Sequence, residues 1–557
     1  MARSKASIYA CIAFVLLIVI VIIVVPIAII KKDHRKEPLR TAAVAADSEK
    51  CSKIGRDILK SGGSAVDGAI AALLCTSVVN PQSMGLGGGS IFTVMDSNGK
   101  VKIINARETV PQAFNSDLLS RCPKIYSQET TGSQWIGVPG EIRGYEQAHR
   151  LYGKLPWADL FRPTIRLARE GLPVSQILGR YIQRIIGNKT IPLRQLFVDK
   201  DGNLLKVGDT VKFEKLADTL DIIAKQGAEA FYTGKVAEDL ISDVTEAGGT
   251  LSLKDLEMFK VNVTDALTNP LGEFQMHFPP PPSGGLILSF ILNIMKGYKL
   301  NPTSLMGEQK TLTYQHYIEA YKFSNGLRKN IRDPRFSSEE RSLKIIKQEF
   351  ADQIRAMISS NTTHDAQYYN VTSFLDTIGT SHVSLIAEDG SAVSVTATIN
   401  DIFGSTVFSP KTGIILNNQL ADFCGEADHI VAGERPPSSM SPVILRSQYK
   451  TVVIGGAGGS AITTGMALTL MNYVWFGKTL EEAISDPVVH VNSNNKLNFE
   501  PGFDQVVVED LKALGHTVED RQYFYNVVNA VEKYYGCIHA VSDARKMGKS
   551  AFYFSPF

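Results

Sequence analysis

Residues 6–30 carry no charged side chain and are dominated by Ile, Val and Leu. A helix of about 20 apolar residues crosses a bilayer, so this run predicts a transmembrane anchor. A cleaved signal peptide is the competing reading. Its apolar region is usually about 7–15 residues long and ends in small residues, whereas this run ends at Lys31 and Lys32. The sequence thus predicts a cytoplasmic tail over 1–5, an anchor over 6–30 and one ectodomain beyond it. Lys31, Lys32, Arg35 and Lys36 outweigh Arg3 and Lys5, which taken alone argues for the opposite orientation. Four Asn-x-Thr sequons, at Asn188, Asn262, Asn361 and Asn370, favour an extracellular bulk. We weigh the sequons more heavily and expect a single-pass type II protein of the plasma membrane.

With 58 Lys and Arg against 56 Asp and Glu, the net charge of +2 leaves no basic surface for phosphate contacts, which argues against a nucleic-acid partner. The six cysteines include no CxxC pair, so neither a zinc site nor a redox motif is indicated, and one or two disulfides are possible. No Gly/Ser linker, charge block or repeat divides the chain after the anchor. Helical spacing of Cys51, Ile54, Ile58 and Leu59 predicts a helix from about Asp47 to Gly62. A second helix runs from Ser64 to about Val79, followed by strands near 91–95 and up to about Arg107 around an Asn98-Gly99 turn. Paired helices followed by a hairpin make an α+β pattern.

Two glycine clusters invite a nucleotide reading. In the first, Gly85 to Gly89, a helix precedes the loop and a strand follows, the reverse of a phosphate loop, so close packing is the better account. The second, 456–461, matches G-x-G-x-x-A after a predicted strand, but no acid ends a second strand about 20 residues on.

Residues 380–400 read as two strand-like runs joined by Glu388-Asp389-Gly390-Ser391. With a two-residue tip at Asp389-Gly390, Thr380 lies opposite Ile399 and beside Thr398 and Asn400; a one-residue bulge would move it one place. By itself this is a polar hairpin face with no necessary chemistry.

The run Gly379-Thr380-Ser381-His382, with Glu388 to Val393 and Thr398-Ile399-Asn400, resembles the start of the active subunit of gamma-glutamyltransferases. The resemblance extends from about Ala42 to Lys546, through 80–89, 104–108, 138–146, 155–157, 438–440 and 455–459, and is strongest to the branch that hydrolyses leukotriene C4. It implies an N-terminal-nucleophile hydrolase with a four-layer αββα sandwich. The precursor would be cut between Gly379 and Thr380 into parts 31–379 and 380–557, which stay together as a heterodimer. It also implies a Cys51–Cys75 disulfide and no metal or organic cofactor. Glycine at 379 suits a strained backbone in which the Thr380 hydroxyl attacks the carbonyl before it. The cut frees an α-amine, whose pKa near ~7.7–8.0 lets it take the hydroxyl proton.

Further roles follow from the resemblance. Arg107 would grip the α-carboxylate of a gamma-glutamyl donor bidentately, assisted by Ser438 and Ser439. Asp422, Asn400 and Gln419 would hold its ammonium. Gly458 and Gly459 would present N–H groups to the oxyanion, and Thr398 would position the nucleophile. The donors would be glutathione, its S-conjugates and leukotriene C4, and the acceptors water, amino acids or dipeptides. Gln419 stands where the family usually has Glu, which predicts weaker donor binding. The segment 424–437 also differs from the family's longer lid. A non-catalytic surface binding protein is the alternative, and an amidase acting on another amide is a third reading that the carboxylate and ammonium clamp disfavours.

Overall fold

The computed structural model describes residues 40–123, 130–186, 191–372, 375, 378–520 and 526–554. The apolar run at 6–30 and Asn188 lie outside them, and among the described residues no helix is long and apolar enough to cross a membrane.

The strands of two large sheets are, in chain order, β1 (Arg40–Ala45), β2 (Gly89–Met95), β3 (Val101–Ala106), β4 (Asn262–Asp265), β5 (Leu267–Leu271), β6 (Phe274–Phe278) and β7 (Ser381–Ile386). They continue with β8 (Ala392–Thr398), β9 (Val443–Arg446), β10 (Lys450–Ala457), β11 (Val527–Tyr534), β12 (Cys537–Val541) and β13 (Ala551–Phe554). One sheet has the order β13-β1-β7-β8-β2-β3-β4, the other β12-β11-β10-β9-β6-β5. The pairings are antiparallel. The apolar C-terminal run 551–554, which sequence could not place, forms an edge strand on β1.

Helices α1 (Glu49–Lys60), α2 (Ala65–Val79) and α3 (Glu141–Tyr152) cover the first sheet; α4 (Gly285–Lys296), α5 (Gly307–Leu327) and α6 (Ile462–Val474) form the layer outside the second. The layers therefore run α-β-β-α, as the resemblance implied. Helix α2 starts at a capping box: Ser64 Oγ accepts from Asp67 N at 3.0 Å and Asp67 Oδ2 accepts from Ser64 N at 2.8 Å. It is apolar almost all round and is buried from Ala65 to Val78, whereas α1 buries only Cys51, Ser52, Gly55, Ile58 and Leu59. The Cys51–Cys75 disulfide joins the two helices.

Strands β7 and β8 lie at the centre of the first sheet and are buried along their whole length. Val383, Leu385, Val393 and Val395 pack into the cluster that holds α2. The polar residues between them are buried against the second sheet: Ser384 Oγ donates to Asn529 O at 3.0 Å and Ser394 Oγ to Ile454 O at 2.9 Å. His382 bridges Thr396 Oγ1 at 2.8 Å and Ser384 Oγ at 2.9 Å. The polar hairpin face read from sequence is thus the seam between the two sheets.

Candidate active site

Thr380 sits immediately before β7. The observed register pairs Ser381 with Ala397 and Ala392 with Ile386, which puts Thr380 opposite Thr398 rather than Ile399. The tip explains the one-place difference. Ala387 N donates to Ser391 O at 2.9 Å around a three-residue loop, with Gly390 at φ 83°. A third loop residue in the left-handed region replaces the two-residue turn expected. Thr380 Oγ1 consequently stands 3.5 Å from Thr398 Oγ1, which accepts from Asn400 N at 2.8 Å.

Two glycines fix this corner. A Cβ on Gly379 would stand 2.2 Å from Asn400 O, and one on Gly88 would stand 2.0 Å from Thr398 O. Gly379 is therefore required by close backbone approach; its own φ is not positive, and the positive φ at this corner is that of Thr380, at 159°. In the cluster at Gly85 to Gly89, Gly87, Gly88 and Gly89 pack against backbone as read from sequence, whereas Gly85 has open space around it.

Thr380 lines a pocket together with Thr398, Asn400, Gly459, Arg107, Gln419, Asp422, Ser438 and Ser439. Gly458, at φ 129°, lies one residue before Gly459, where β10 turns through a 3-10 turn, Gly459–Ala461, into α6. Strand, glycine turn and helix are thus all present, but β10 is antiparallel to both neighbours. A dinucleotide fold needs a parallel βαβ unit, so the geometry excludes that reading.

Arg107 is fully buried at the end of β3. Its Nη2 donates to Asp422 Oδ2 at 2.6 Å and to Pro437 O at 2.5 Å, and its Nε to Pro436 O at 2.7 Å. Nη1 is buried with no hydrogen-bond partner among the described residues. The two-pronged grip expected from sequence is thus half committed, with Nη2 engaged and Nη1 as the available donor. Asp422 also accepts from Gln419 Nε2 at 2.7 Å, while Gln419 Oε1 is buried without a partner among the described residues. Burial raises the Asp422 pKa and Arg107 pulls it down, with a net rise. Asn400, held at φ 78°, donates to Asn418 O at 3.1 Å. Ser438 Oγ accepts from Met440 N at 3.1 Å.

Sequence reasoning missed three contributors. Arg328, at the end of α5, donates to Ser439 Oγ at 2.7 Å and to Ser460 O at 3.0 Å. The half-buried Glu426 lines the same pocket, and loss of hydration pushes its carboxyl up to about 7 against the pull of Arg328. Lys546 and Asp47 form a fully buried pair at 2.7 Å, and Lys546 Nζ donates to Thr380 O at 2.6 Å and Ser381 Oγ at 3.1 Å. No local motif marks any of them. His382, two residues from Thr380, is a tempting base, but burial pushes its pKa down to about 3 and both ring nitrogens are engaged.

Burial pushes the carboxyls of Glu108, which follows Arg107, and of Glu141 beside it up to about 8. Both stay protonated in the folded protein at pH values where the unfolded chain has ionised them. Stability should therefore fall as pH rises from about 4.5 to 8 and then level off. Thermal melts across that range should show the decline, and Glu141→Gln should flatten it; an equally steep decline in the variant would contradict the assignment.

Of the sequons, Asn262, Asn361 and Asn370 are exposed. Among the described residues no group of His, Cys, Asp and Glu is arranged to hold a metal ion.

The family model for gamma-glutamyltranspeptidase matches residues 51–553. The chain belongs to the gamma-glutamyltranspeptidase family. It is 45% identical over 535 residues to glutathione hydrolase 5 proenzyme of Mus musculus, covering 92% of each chain. It is 44% identical over 545 residues to the Homo sapiens protein of the same name, covering 92% of this chain and 93% of that one. In fold it is similar to a cephalosporin acylase from Bacillus halodurans, with a TM-score of 0.82, 24% identity and coverage of 92% and 96%. A Helicobacter pylori gamma-glutamyltranspeptidase matches with a TM-score of 0.51 and 26% identity over 57% of this chain and 92% of that one. Family membership and fold thus agree with the resemblance read from sequence.

Proposed function

We propose that this chain is a gamma-glutamyl hydrolase and transpeptidase acting on glutathione, glutathione S-conjugates and leukotriene C4 after a cut between Gly379 and Thr380. One observation supports the reading: Thr380 lines the same pocket as a buried guanidinium and the carboxylate paired with it, the two charges that match a donor's carboxylate and ammonium. Relatives named glutathione hydrolase 5 proenzyme support both the substrate and a processed precursor.

In the mechanism, Thr380 Oγ1 attacks the donor's gamma-carbonyl and its own α-amine, freed by the cut, takes the proton. The developing oxyanion is met by backbone N–H groups of Gly458 and Gly459. Arg107 Nη1, Ser438 and Ser439 bind the α-carboxylate, with Arg328 orienting Ser439. Asp422, the Gln419 oxygen and Asn400 bind the ammonium. The cysteinyl half of the donor leaves as an amine, receiving the proton held by the Thr380 α-amine, and water or an amino acid or dipeptide then takes the glutamyl group from Thr380. No step draws on a metal or organic cofactor. Nothing favours the binding-only alternative, and the relatives named glutathione hydrolase support the catalytic reading. We also propose a cytoplasmic tail, an anchor over 6–30, an extracellular catalytic part and glycans on the four sequons.

Incubating the purified two-chain protein with glutathione should release glutamate, and adding a dipeptide acceptor should divert part of it into a gamma-glutamyl peptide. Binding without release would favour the alternative. Gln419→Glu sets a second carboxylate against Asp422, so the free site keeps one proton at lower pH and matches the wild type. As pH rises and that proton leaves, the added charge faces the donor ammonium. The Michaelis constant of the variant should therefore fall with rising pH below that of the wild type. A value unchanged or raised at every pH would mean that Gln419 does not face the ammonium.

A further inference from the structure

Cys122 and Cys424 are joined by a disulfide across 302 positions of sequence. Cys122 ends the 3-10 turn Leu118–Arg121, and Cys424 ends the 3-10 turn Gln419–Phe423, which carries Gln419 and Asp422. The two turns share an apolar cluster that includes Leu118, Trp135, Leu420 and Phe423. Cys424 is buried and lines the pocket. The cut proposed above falls between the two cysteines, so a bond made within one chain becomes a bond between two.

We propose that the mature protein is a covalently joined heterodimer, with Cys122–Cys424 as the interchain bond and as a brace for the pocket wall that carries Asp422. The proposal rests on the cut at Gly379–Thr380. Its chemistry is ordinary thiol–disulfide exchange. A protein disulfide of the secretory compartment is reduced to its dithiol, taking up the two electrons and two protons that leave the Cys122 and Cys424 thiols.

The other described cysteines cannot supply this link within one molecule. Cys51 and Cys75 lie on the same side of the cut and are bonded to each other, and Cys537 is free and exposed. The brace matters locally rather than for holding the two parts together. Strands from both sides of the cut contribute to both sheets, so the cores already bind one part to the other. The wall, by contrast, is a turn followed by irregular chain, fixed further on by backbone bonds between Val110 and the 433–434 pair at 2.8 and 2.9 Å. Without the disulfide, Asp422 would keep its bond to Arg107 but lose the covalent tie two residues away.

The test is electrophoresis of the full-length protein from the cell surface, its thiols blocked before denaturation. With reductant it should show two chains; without reductant, one species at the mass of both. Cys122→Ser should give two chains under both conditions, and Cys537→Ser should remain linked. A disulfide-bonded peptide containing Cys122 and Cys424 should be recovered from the unsubstituted protein, which keeps the test sound if the serine variant fails to fold. Two chains without reductant would overturn the proposal. One chain with reductant would show that the cut itself does not occur, a failure of the underlying reading visible on the other lane. In kinetics, Cys122→Ser should raise the donor's Michaelis constant more than it lowers turnover; an unchanged constant would overturn the brace.

Discussion

Thr380→Ala should remain a single chain and lose activity, by on the order of 10⁴-fold or more in turnover, the scale seen when a catalytic nucleophile is removed. The hydroxyl is needed twice, first to attack the Gly379 carbonyl and then to attack the donor. The methyl left by alanine fits the same space, and the neighbours that hold this corner are untouched: Lys546 bonds the Thr380 carbonyl and Asn400 N bonds Thr398. The variant should therefore fold, which makes an uncut band on a reducing gel interpretable. Cleavage of the variant at the same bond would assign processing to an external protease and remove the argument for an N-terminal nucleophile.

Asp422→Ala should have the second largest effect, and on two observables. Arg107 is fully buried, and Asp422 is the carboxylate it pairs with, at 2.6 Å. Removing one partner of such a pair leaves an uncompensated charge and costs about 3–5 kcal/mol. The melting temperature should fall accordingly. The donor's ammonium loses its charged partner as well, so the Michaelis constant should rise far more than turnover changes, while processing at Thr380 persists because it precedes donor binding. Calorimetry and steady-state kinetics on the cleaved variant check both parts. A variant as stable as the wild type would contradict the buried pair, and an unchanged Michaelis constant would contradict the ammonium assignment.

What could be read in the sequence follows the range of the interactions. Helices α1 and α2 were legible because their stop and start signals, Gly62-Gly63 and Ser64 with Asp67, are local. The β7–β8 hairpin was legible from its Asp-Gly tip, yet its register was not, because a third loop residue takes the left-handed conformation at Gly390 and shifts Thr380 onto Thr398. The pocket residues came from resemblance, since nothing local distinguishes Arg107 or Asp422 from surface ion-pair partners. That these two bond each other was invisible, as they are 315 positions apart. Arg328, Lys546 and the Cys122–Cys424 bond escaped for the same reason: each acts on residues more than 100 positions away. The edge strand β13 was missed because its only signal is four apolar residues whose partner lies at the other end of the ectodomain.

The central claim is that Thr380 becomes the terminal nucleophile and carries the glutamyl group. Its most direct test is mass spectrometry of the smaller chain after rapid acid quenching during turnover of glutathione. The account predicts a chain beginning at Thr380, with a fraction heavier by one gamma-glutamyl group located on that residue. A smaller chain with any other first residue, or a glutamyl group found only elsewhere, would contradict it.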